Sequence, residues 1–83
     1  MSRILNRPIP VRRDRDGRPG SFLWRGRWWR VGEILEEWVY RPPWWEEQEL
    51  GERCFYRVLV EGGGVFELLL EAGGSGRLYR EFD

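Results

Sequence analysis

The chain has 83 residues with 14 arginines, no lysine or histidine, a single cysteine and a net charge of zero. The lone cysteine excludes an internal disulfide, and the lack of histidine excludes a conventional zinc site. A domain of this size buries only about 60–65% of the surface of its unfolded chain, so the aromatic residues, 16% of the sequence, must supply much of the core.

The first third of the chain indicates a three-stranded meander. Pro8 and Pro10 in "RPIPVRRD" remove hydrogen-bond donors from one side of a strand, which is typical of a sheet edge. Asp16 and Gly17 are a common hairpin turn pair, and Gly26 permits a second tight turn. Two segments rich in strand-forming residues complete the meander: "SFLWR" (21–25) and "RWWRV" (27–31).

The segment "VGEILEEWVY" (31–40) fits two structures. Its apolar residues follow the i, i+3, i+4, i+7 stripe of a helix that begins at Val31. They also fall on one face of a strand if a single bulge lies near Glu33 and Ile34. We favour the bulged, bent strand, with a short helix as the alternative. The shared face of that strand comprises Trp29, Val31, Ile34 and Trp38.

The last third of the chain indicates a second meander. Residues 41–52 are irregular, because Pro42 and Pro43 interrupt any regular element. Three strands joined by glycine-rich hairpin turns follow, and both of their faces are partly apolar. The two meanders must therefore pack on each other, which predicts an all-β fold: a small SH3-like barrel or two packed three-stranded antiparallel meanders. The three strands are "RCFYRVLVE" (53–61), "VFELLLE" (65–71) and "GRLYREF" (76–82).

Alternation along the strands predicts the core. Side chains two residues apart in a strand share a face, so every second apolar residue faces inward. We expect residues 1–83 to form a single small β domain. Its predicted core comprises Trp29, Val31, Trp38, Tyr56, Val58, Val60, Phe66, Leu68 and Leu70.

The sequence contains no recognisable catalytic or metal-binding constellation. Without histidine, a general base near neutral pH has to be a perturbed carboxylate, and none of the three serines has a plausible base beside it. Cys54, between Arg53 and Phe55, is more typical of a small core thiol than of a nucleophile. Glu46 and Glu47 lack the ligand spacing of a calcium loop. We therefore expect a protein that is not an enzyme and that has no cofactor.

Composition also predicts the location and the source of the protein. The N-terminus has no apolar run before its prolines and arginines, and no segment approaches eighteen apolar residues. We therefore expect a cytoplasmic protein without a signal peptide or a membrane span. Few thermolabile residues beside 34% charged residues favour a thermophile, although a GC-rich genome produces much of the same bias.

The charge is distributed unevenly along the chain. Residues 1–30 hold nine arginines and two aspartates, a balance of +7, whereas residues 31–83 hold five arginines and twelve acidic residues, a balance of −7. Such asymmetry is typical of a nucleic-acid-binding face beside an acidic region. The alternative is that the two halves neutralise each other across neighbouring strands.

Arginine alternates with aromatic residues in "FLWRGRWWR" (22–30). Because neighbouring side chains in a strand point to opposite faces, we assign Trp29 to the core and Trp28 to the surface. An outward tryptophan among arginines suits base stacking with guanidinium groups on phosphate. The alternative is that arginine lies over the indole in an intramolecular cation–π contact. The predicted nucleic-acid-binding residues are Trp24, Arg25, Arg27, Trp28 and Arg30.

A second tryptophan pair lies in the irregular segment. Its acidic neighbours repel phosphate, which indicates a plug for one end of the barrel or a protein-binding knob rather than a nucleic-acid contact. The predicted protein-binding residues are Trp44, Trp45, Glu46 and Glu47.

Two stretches of the chain carry a family resemblance. "PGSFLWRGRWWRVGEILEEW" (19–38) and "WWEEQELGERCFYRVLVEGGGVFELLLEAGGSGRLYREFD" (44–83) resemble the two halves of a bacterial family known only as a domain of unknown function. The second stretch is also similar to the C-terminal segment of ImuB-type proteins, which are catalytically dead relatives of Y-family DNA polymerases and adaptors in damage-induced mutagenesis. Leu78 and Phe82 depart from the pattern, which often has Trp and Tyr at these positions.

This resemblance implies a non-catalytic accessory module near translesion synthesis and DNA repair. Together with the arginine and aromatic residues of the first half, it predicts a binding module that contacts single-stranded or damaged DNA. The alternative is a protein–protein interaction adaptor. Such an adaptor would bind DNA polymerase or recombinase components through the Trp44-Trp45 acidic loop or through the N-terminal edge strand.

Overall fold

The structure, a computed structural model, describes residues 2–40, 53–71 and 76–82. These residues form seven antiparallel strands in the spatial order β1-β7-β6-β5-β4-β3-β2, and the sheet curls into a half-barrel. The predicted all-β fold is therefore confirmed. The strands are β1 (Ser2–Ile9), β2 (Val11–Arg13), β3 (Pro19–Trp24), β4 (Arg27–Tyr40), β5 (Arg53–Val60), β6 (Val65–Glu71) and β7 (Gly76–Phe82).

The turn between β2 and β3 is a hairpin, as predicted. The Asp14 N–H donates to the Arg18 carbonyl at 2.7 Å, and the Asp14 carboxylate accepts hydrogen bonds from the N–H groups of Asp16 and Arg18. Gly17 has a φ of 82°, a backbone conformation that residues with a Cβ rarely adopt. An aspartate that binds its own following backbone is a common device for closing such a turn.

Residues 2–13 run along both edges of the sheet. β1 pairs with β7 alone among the described strands, with Pro8 opposite Arg77, so the predicted edge strand is confirmed. After Pro10 the chain continues as β2, which pairs with β3 at the other edge. The two edges therefore approach each other through one bent segment. Val11 lies against Gly76 at the start of β7, where an added Cβ would overlap the Val11 side chain.

β4 is one long strand with two bulges. Residues 27–30 pair with β3 and residues 31–40 pair with β5, so this strand joins the two predicted meanders into one sheet. The register with β5 shifts at Gly32 and again at Leu35, each of which has no residue opposite it. The predicted bulged strand is confirmed and the alternative of a short helix is wrong, although there are two bulges instead of one.

The second bulge determines the side on which Trp38 lies. Each bulge inserts one residue into the strand, so the side chains that follow it exchange faces. Trp38 lies opposite Phe55 and stacks on it, with 5.4 Å between ring centroids and 3° between ring planes. Phe55 points away from the core, because its neighbours Cys54 and Tyr56 face inward. The prediction of Trp38 as a core residue is therefore wrong.

The core fills the inside of the curl. The six core residues predicted in β5 and β6 are buried, and Trp29 and Val31 pack against them, half-buried. Three fully buried residues, Pro19, Phe22 and Leu78, were not predicted. Phe22 meets Phe66 edge to face, with 5.3 Å between ring centroids. The core residues confirmed in β5 and β6 are Tyr56, Val58, Val60, Phe66, Leu68 and Leu70.

Candidate functional site

The predicted nucleic-acid-binding residues lie on the hairpin of β3 and β4. Arg25 and Gly26 form its turn with φ angles of 54° and 78°, the left-handed backbone of a two-residue type I′ turn. This turn fixes the register, in which Trp24 lies opposite Arg27. Residues that face each other across two strands point to the same side of the sheet, and neighbours within a strand point to opposite sides. Trp24 and Arg27 therefore share one side of the hairpin, and Trp28 lies on the other. The structure therefore divides the five predicted residues between two sides and the tip.

The outer side of this hairpin carries Trp28. Its side chain is 40% exposed, and the Arg12 guanidinium carbon of β2 lies 4.1 Å from the ring centroid. Arg12 and Arg30 lie on the same side, because both face Ser21 across their strands. This surface, the arginine–tryptophan face, comprises Arg12, Ser21, Leu23, Trp28 and Arg30.

The inner side of the hairpin carries Trp24, Arg27 and Trp29. The Trp29 ring lies 5.6 Å from that of Phe66, and its Nε1 donates to the Trp24 carbonyl at 3.0 Å. Trp24 also packs against the core, half-buried. The Arg27 guanidinium carbon lies 3.9 Å from the Trp29 ring centroid. Trp29 thus lies inside and Trp28 outside, as assigned from the sequence, but Trp24 and Arg27 are not part of the arginine–tryptophan face.

Arg25 connects the hairpin tip to β7. Its Nη2 lies 3.3 Å from Oε2 of Glu81, whose side chain is only 17% exposed. Its guanidinium carbon also lies 5.5 Å from the ring centroid of Trp24. A partly buried carboxylate requires such a cation nearby. Arg25 therefore has a structural contact that holds the hairpin against β7.

Intramolecular cation–π contacts, the alternative stated for the outward tryptophan, occur at three tryptophans of this hairpin. Arg12 lies over Trp28, Arg25 over Trp24 and Arg27 over Trp29. Among these three, the contact between Arg12 and Trp28 is the one on the outer, exposed side of the hairpin. That contact is consequently the one that a ligand reaches without disturbing the core.

The charge of the arginine–tryptophan face is only partly neutralised. Arg30 lies 3.8 Å from Glu61, and both side chains are well exposed, at 78% and 61%. Exposed pairs of this kind contribute about 0–1 kcal/mol, so they exchange readily for another anion. Within the described ranges, Arg12 forms no ion pair with a carboxylate. With respect to the described residues, the face therefore retains positive charge next to an exposed indole.

A second cluster lies on the outer side of β4, β5, β6 and β7. Arg57 donates to Glu36 at 2.7 Å and to Glu67 at 2.9 Å, and Arg80 lies 3.8 Å from Glu67. Glu67 is only 4% exposed. The hydrogen bond to Glu67 raises the pKa of Arg57 above its ordinary value. The Phe82 ring is flanked by both arginines, with centroid distances of 5.2 Å and 5.7 Å.

Sequence reasoning missed this cluster. Glu36, Arg57 and Glu67 lie opposite one another on three successive strands, so they form one row across the sheet. The signal in the sequence is an acidic, a basic and an acidic residue at positions that pair with one another across the three strands. It becomes visible only when the register of all three strands is known, and the two bulges of β4 conceal that register.

Tyr56 occupies the inner side of β5 and is buried. Burial raises the pKa of its phenol above the ordinary value and outweighs the nearby guanidinium groups of Arg13 and Arg18, which lower it. Cys54 is a free thiol that is half-buried beside the core. The neutral phenol is consequently the form that the folded chain stabilises.

The protein-binding residues predicted from the sequence, Trp44, Trp45, Glu46 and Glu47, lie outside the described residues. In the described part of the chain, no group of three or more His, Cys, Asp or Glu residues is placed to hold a metal ion. That part also contains no helix long and apolar enough to cross a membrane.

These features define a small all-β domain with an exposed arginine–tryptophan surface on its second hairpin. The family described as Domain of unknown function (DUF6504) matches residues 1–81, and the chain belongs to this family. No curated protein and no solved structure matches the chain. The predicted membership of a domain-of-unknown-function family is confirmed, whereas the similarity to ImuB-type proteins stays a prediction.

Proposed function

We propose that this domain is a non-catalytic binding module for single-stranded or damaged DNA and that the arginine–tryptophan face is its contact surface. The observation that carries the proposal is the exposed Trp28 ring with the Arg12 guanidinium 4.1 Å from its centroid and Arg30 on the same side. Small β-barrels bind single strands with this combination of an aromatic platform and arginines that reach phosphate.

The energies of the competing contacts favour an exchange of Arg12 for a base. An exposed cation–π contact contributes about 0.5–1 kcal/mol. A base stacked on an aromatic side chain contributes about 1–3 kcal/mol. Displacement of Arg12 from the Trp28 ring by a base is therefore favourable in free energy, and the released guanidinium is available to a phosphate.

The five residues predicted from the sequence have different functions in this proposal. Trp28 stacks on a base, and Arg30 exchanges its exposed partner Glu61 for phosphate. Arg25 and Arg27 add positive charge near the hairpin tip. Trp24 supports the hairpin from its inner side, where it accepts the hydrogen bond from Trp29. Arg12 of β2, which sequence reasoning did not include, joins Trp28 and Arg30.

The proposed biological context is translesion synthesis and DNA repair. The support for this context is the similarity to the C-terminal segment of ImuB-type proteins that the sequence of residues 44–83 predicts. A module that holds single-stranded DNA near a polymerase suits such a context, because a stalled polymerase leaves unpaired template.

Fluorescence anisotropy with labelled oligonucleotides tests the proposal. We expect binding to a poly-dT oligonucleotide that exceeds binding to a duplex of equal length and that weakens steeply between about 50 and 200 mM salt. The variant Trp28→Ala should bind about 1–3 kcal/mol more weakly. Absence of measurable affinity for any oligonucleotide at the lower salt concentration would exclude this function.

A protein-interaction adaptor is the second candidate, and the edge strand β1 favours it. Ile4 on this strand is 60% exposed, and an apolar residue on an open edge is a typical contact for another protein. The test is a pull-down of DNA polymerase and recombinase components in the presence of excess oligonucleotide. Capture that is lost in Ile4→Arg or Trp44→Ala, and that resists the oligonucleotide, would favour the adaptor over the DNA-binding module.

A further inference from the structure

Among residues 2–40, 53–71 and 76–82, β4 has an edge beyond the hairpin that no other strand covers. Among the described strands, residues 31–40 pair with β5 alone. The bulges at Gly32 and Leu35 interrupt the first part of this edge, and Glu36–Tyr40 then runs in regular register, which gives about 16 Å of strand. On the side away from β5, alternate N–H and C=O groups of this stretch face no described strand. Such an edge is a template for pairing with another strand.

A row of aromatic rings leads to this edge on the outer side of the sheet. Tyr79 of β7 meets Phe55 of β5 edge to face at 5.5 Å, and Phe55 stacks on Trp38 of β4 at 5.4 Å. The row thus ends at the open edge strand. Tyr40, on the same side of the strand as Trp38, is 45% exposed, and Val39, on the inner side, is 43% exposed. Exposed apolar and aromatic residues on an open edge mark a contact surface for protein.

We propose that this edge binds a second copy of the chain, which pairs antiparallel through Glu36–Tyr40 about a two-fold axis at Trp38. In this register Trp38 lies opposite Trp38 of the second copy, and the aromatic row continues across the interface. Glu36 lies opposite Tyr40, whose hydroxyl donates to the Glu36 carboxylate. The arrangement is isologous and closed, so it forms a dimer and not a fibre.

The charges at the edge favour a second copy over a basic peptide. Glu36 already accepts a hydrogen bond from Arg57 at 2.7 Å, and Glu37 lies 3.2 Å from Arg18. Both carboxylates are thus compensated by arginines of the same chain. An axis at Glu36 or Glu37 would place like charges directly opposite each other, which destabilises a sheet. The axis at Trp38 avoids that contact.

The size of the contact sets the concentration at which the dimer forms. Five paired residues with a few side chains bury less than a standard interface of about 1,600 Å², so we expect a weak complex with a Kd in the micromolar range. Sedimentation velocity of the full chain from about 10 µM to 1 mM should therefore show a monomer that converts to a dimer. A chain that stays monomeric over this range would overturn the proposal.

Charge substitutions at Tyr40 test the register. Tyr40→Glu places a second carboxylate opposite Glu36 and should weaken dimerisation at least tenfold, whereas Tyr40→Arg should preserve or strengthen it. The matched control is Ile4→Glu, which changes an exposed apolar residue on the other edge strand and should leave the dimer unchanged. A dimer that is equally stable in Tyr40→Glu, or that is lost in Ile4→Glu, would contradict the assignment.

Cross-linking gives a second readout, which reports the register of the two strands directly. In a Cys54→Ala background, Trp38→Cys places the new thiol opposite its own copy, at a Cα separation of about 4.5–5.5 Å that a disulfide spans. Tyr40→Cys is the control, because its thiol would face Glu36. We expect oxidised dimers from position 38 and not from position 40, with circular dichroism to confirm that both variants are folded. Equal cross-linking at both positions would overturn the register. Hydrogen exchange with an added peptide of alternating Arg and Val tests the occupant. If the chain is monomeric and this peptide protects the β4 amides, the edge binds a basic peptide and not a second copy.

Discussion

Trp28 and Trp29 are neighbours in the chain but lie on opposite sides of β4. The exposed Trp28 ring carries Arg12 at 4.1 Å, whereas the Trp29 ring packs on Phe66 with 5.6 Å between centroids. Alternation along a strand produces this difference, because successive side chains point to opposite faces. Substitutions of the two indoles should therefore have different consequences.

The first prediction contrasts these two tryptophans. Trp28→Ala should leave the free energy of unfolding nearly unchanged and weaken oligonucleotide binding. Trp29→Ala should lower the free energy of unfolding by about 2–3 kcal/mol, the lower part of the range for large-to-small substitutions, because Trp29 is half-buried. Denaturant unfolding and anisotropy on both variants provide the measurement. A Trp28→Ala variant that loses as much stability as Trp29→Ala would contradict the assignment of sides.

The second prediction concerns the salt dependence of binding. Removal of one phosphate contact lowers the slope of log K against log salt by about 0.7 for a single strand. Arg12→Gln should show this reduction, because its guanidinium lies on the Trp28 ring. Arg7→Gln on β1 is the matched control and should leave the slope unchanged. Identical slopes in the two variants would show that Arg12 makes no phosphate contact.

The third prediction concerns the approach of β2 to β7. A Cβ on Gly76 would overlap the Val11 side chain, so Gly76→Ala should lower the free energy of unfolding by about 1–3 kcal/mol through overpacking. Val11→Ala removes the overlapping methyl groups and should therefore suppress part of that loss in the double variant. Gly20→Ala, where an added Cβ has its closest contact at 3.5 Å, is the control. Strictly additive losses in the double variant would argue against the contact between these strands.

The fourth prediction compares a buried and an exposed carboxylate. Glu67 is 4% exposed and lies between Arg57 and Arg80, so Glu67→Gln should lower the melting temperature clearly. Glu61→Gln removes an exposed partner of Arg30 and should change stability by no more than about 0.5 kcal/mol. Thermal unfolding of the two variants at neutral pH is the measurement. Similar melting temperatures would mean that the outer cluster does not stabilise the fold.

The fifth prediction concerns alkaline pH. Burial raises the pKa of Tyr56 above its ordinary value of 10.0, so the folded chain binds the phenol proton more tightly than the unfolded chain. The resulting stability is complete below pH 10 and is lost as the pH rises through the folded-state pKa. The free energy of unfolding should therefore fall as the pH rises above 10, and Tyr56→Phe should remove this part of the decline. Denaturant unfolding from about pH 9 to pH 11 measures it, and parallel curves for the two proteins would refute the prediction.

Much of the fold was predictable because turns and alternation are local properties. Asp16 and Gly17 mark the first hairpin, and alternation along β5 and β6 identifies the buried residues of those strands. Phe22 was missed although its signal was present. A two-residue turn at Arg25 and Gly26 places Phe22 opposite Trp29, and hence in the core, and places Trp24 on the same inner side.

The remaining features depend on register, which composition does not reveal. A pattern of apolar residues permits one bulge or two in β4, and the side of Trp38 changes with that number. Arg12 reaches Trp28 only because β2 pairs with β3 in a particular alignment. The row of Glu36, Arg57 and Glu67 likewise requires the alignment of three strands. The predicted thermophilic source, the cytoplasmic location and the link to DNA repair stay predictions.

The most direct test of the proposed function is a ¹H–¹⁵N NMR titration of the labelled chain with a short poly-dT oligonucleotide. We expect the largest shifts on the backbone of Arg12 and Arg30 and on the indole Nε1–H of Trp28, while the indole signals of Trp24 and Trp29 change little. Shifts confined to β1 or to the outer side of β5, β6 and β7, or no shifts at all, would contradict the proposed function.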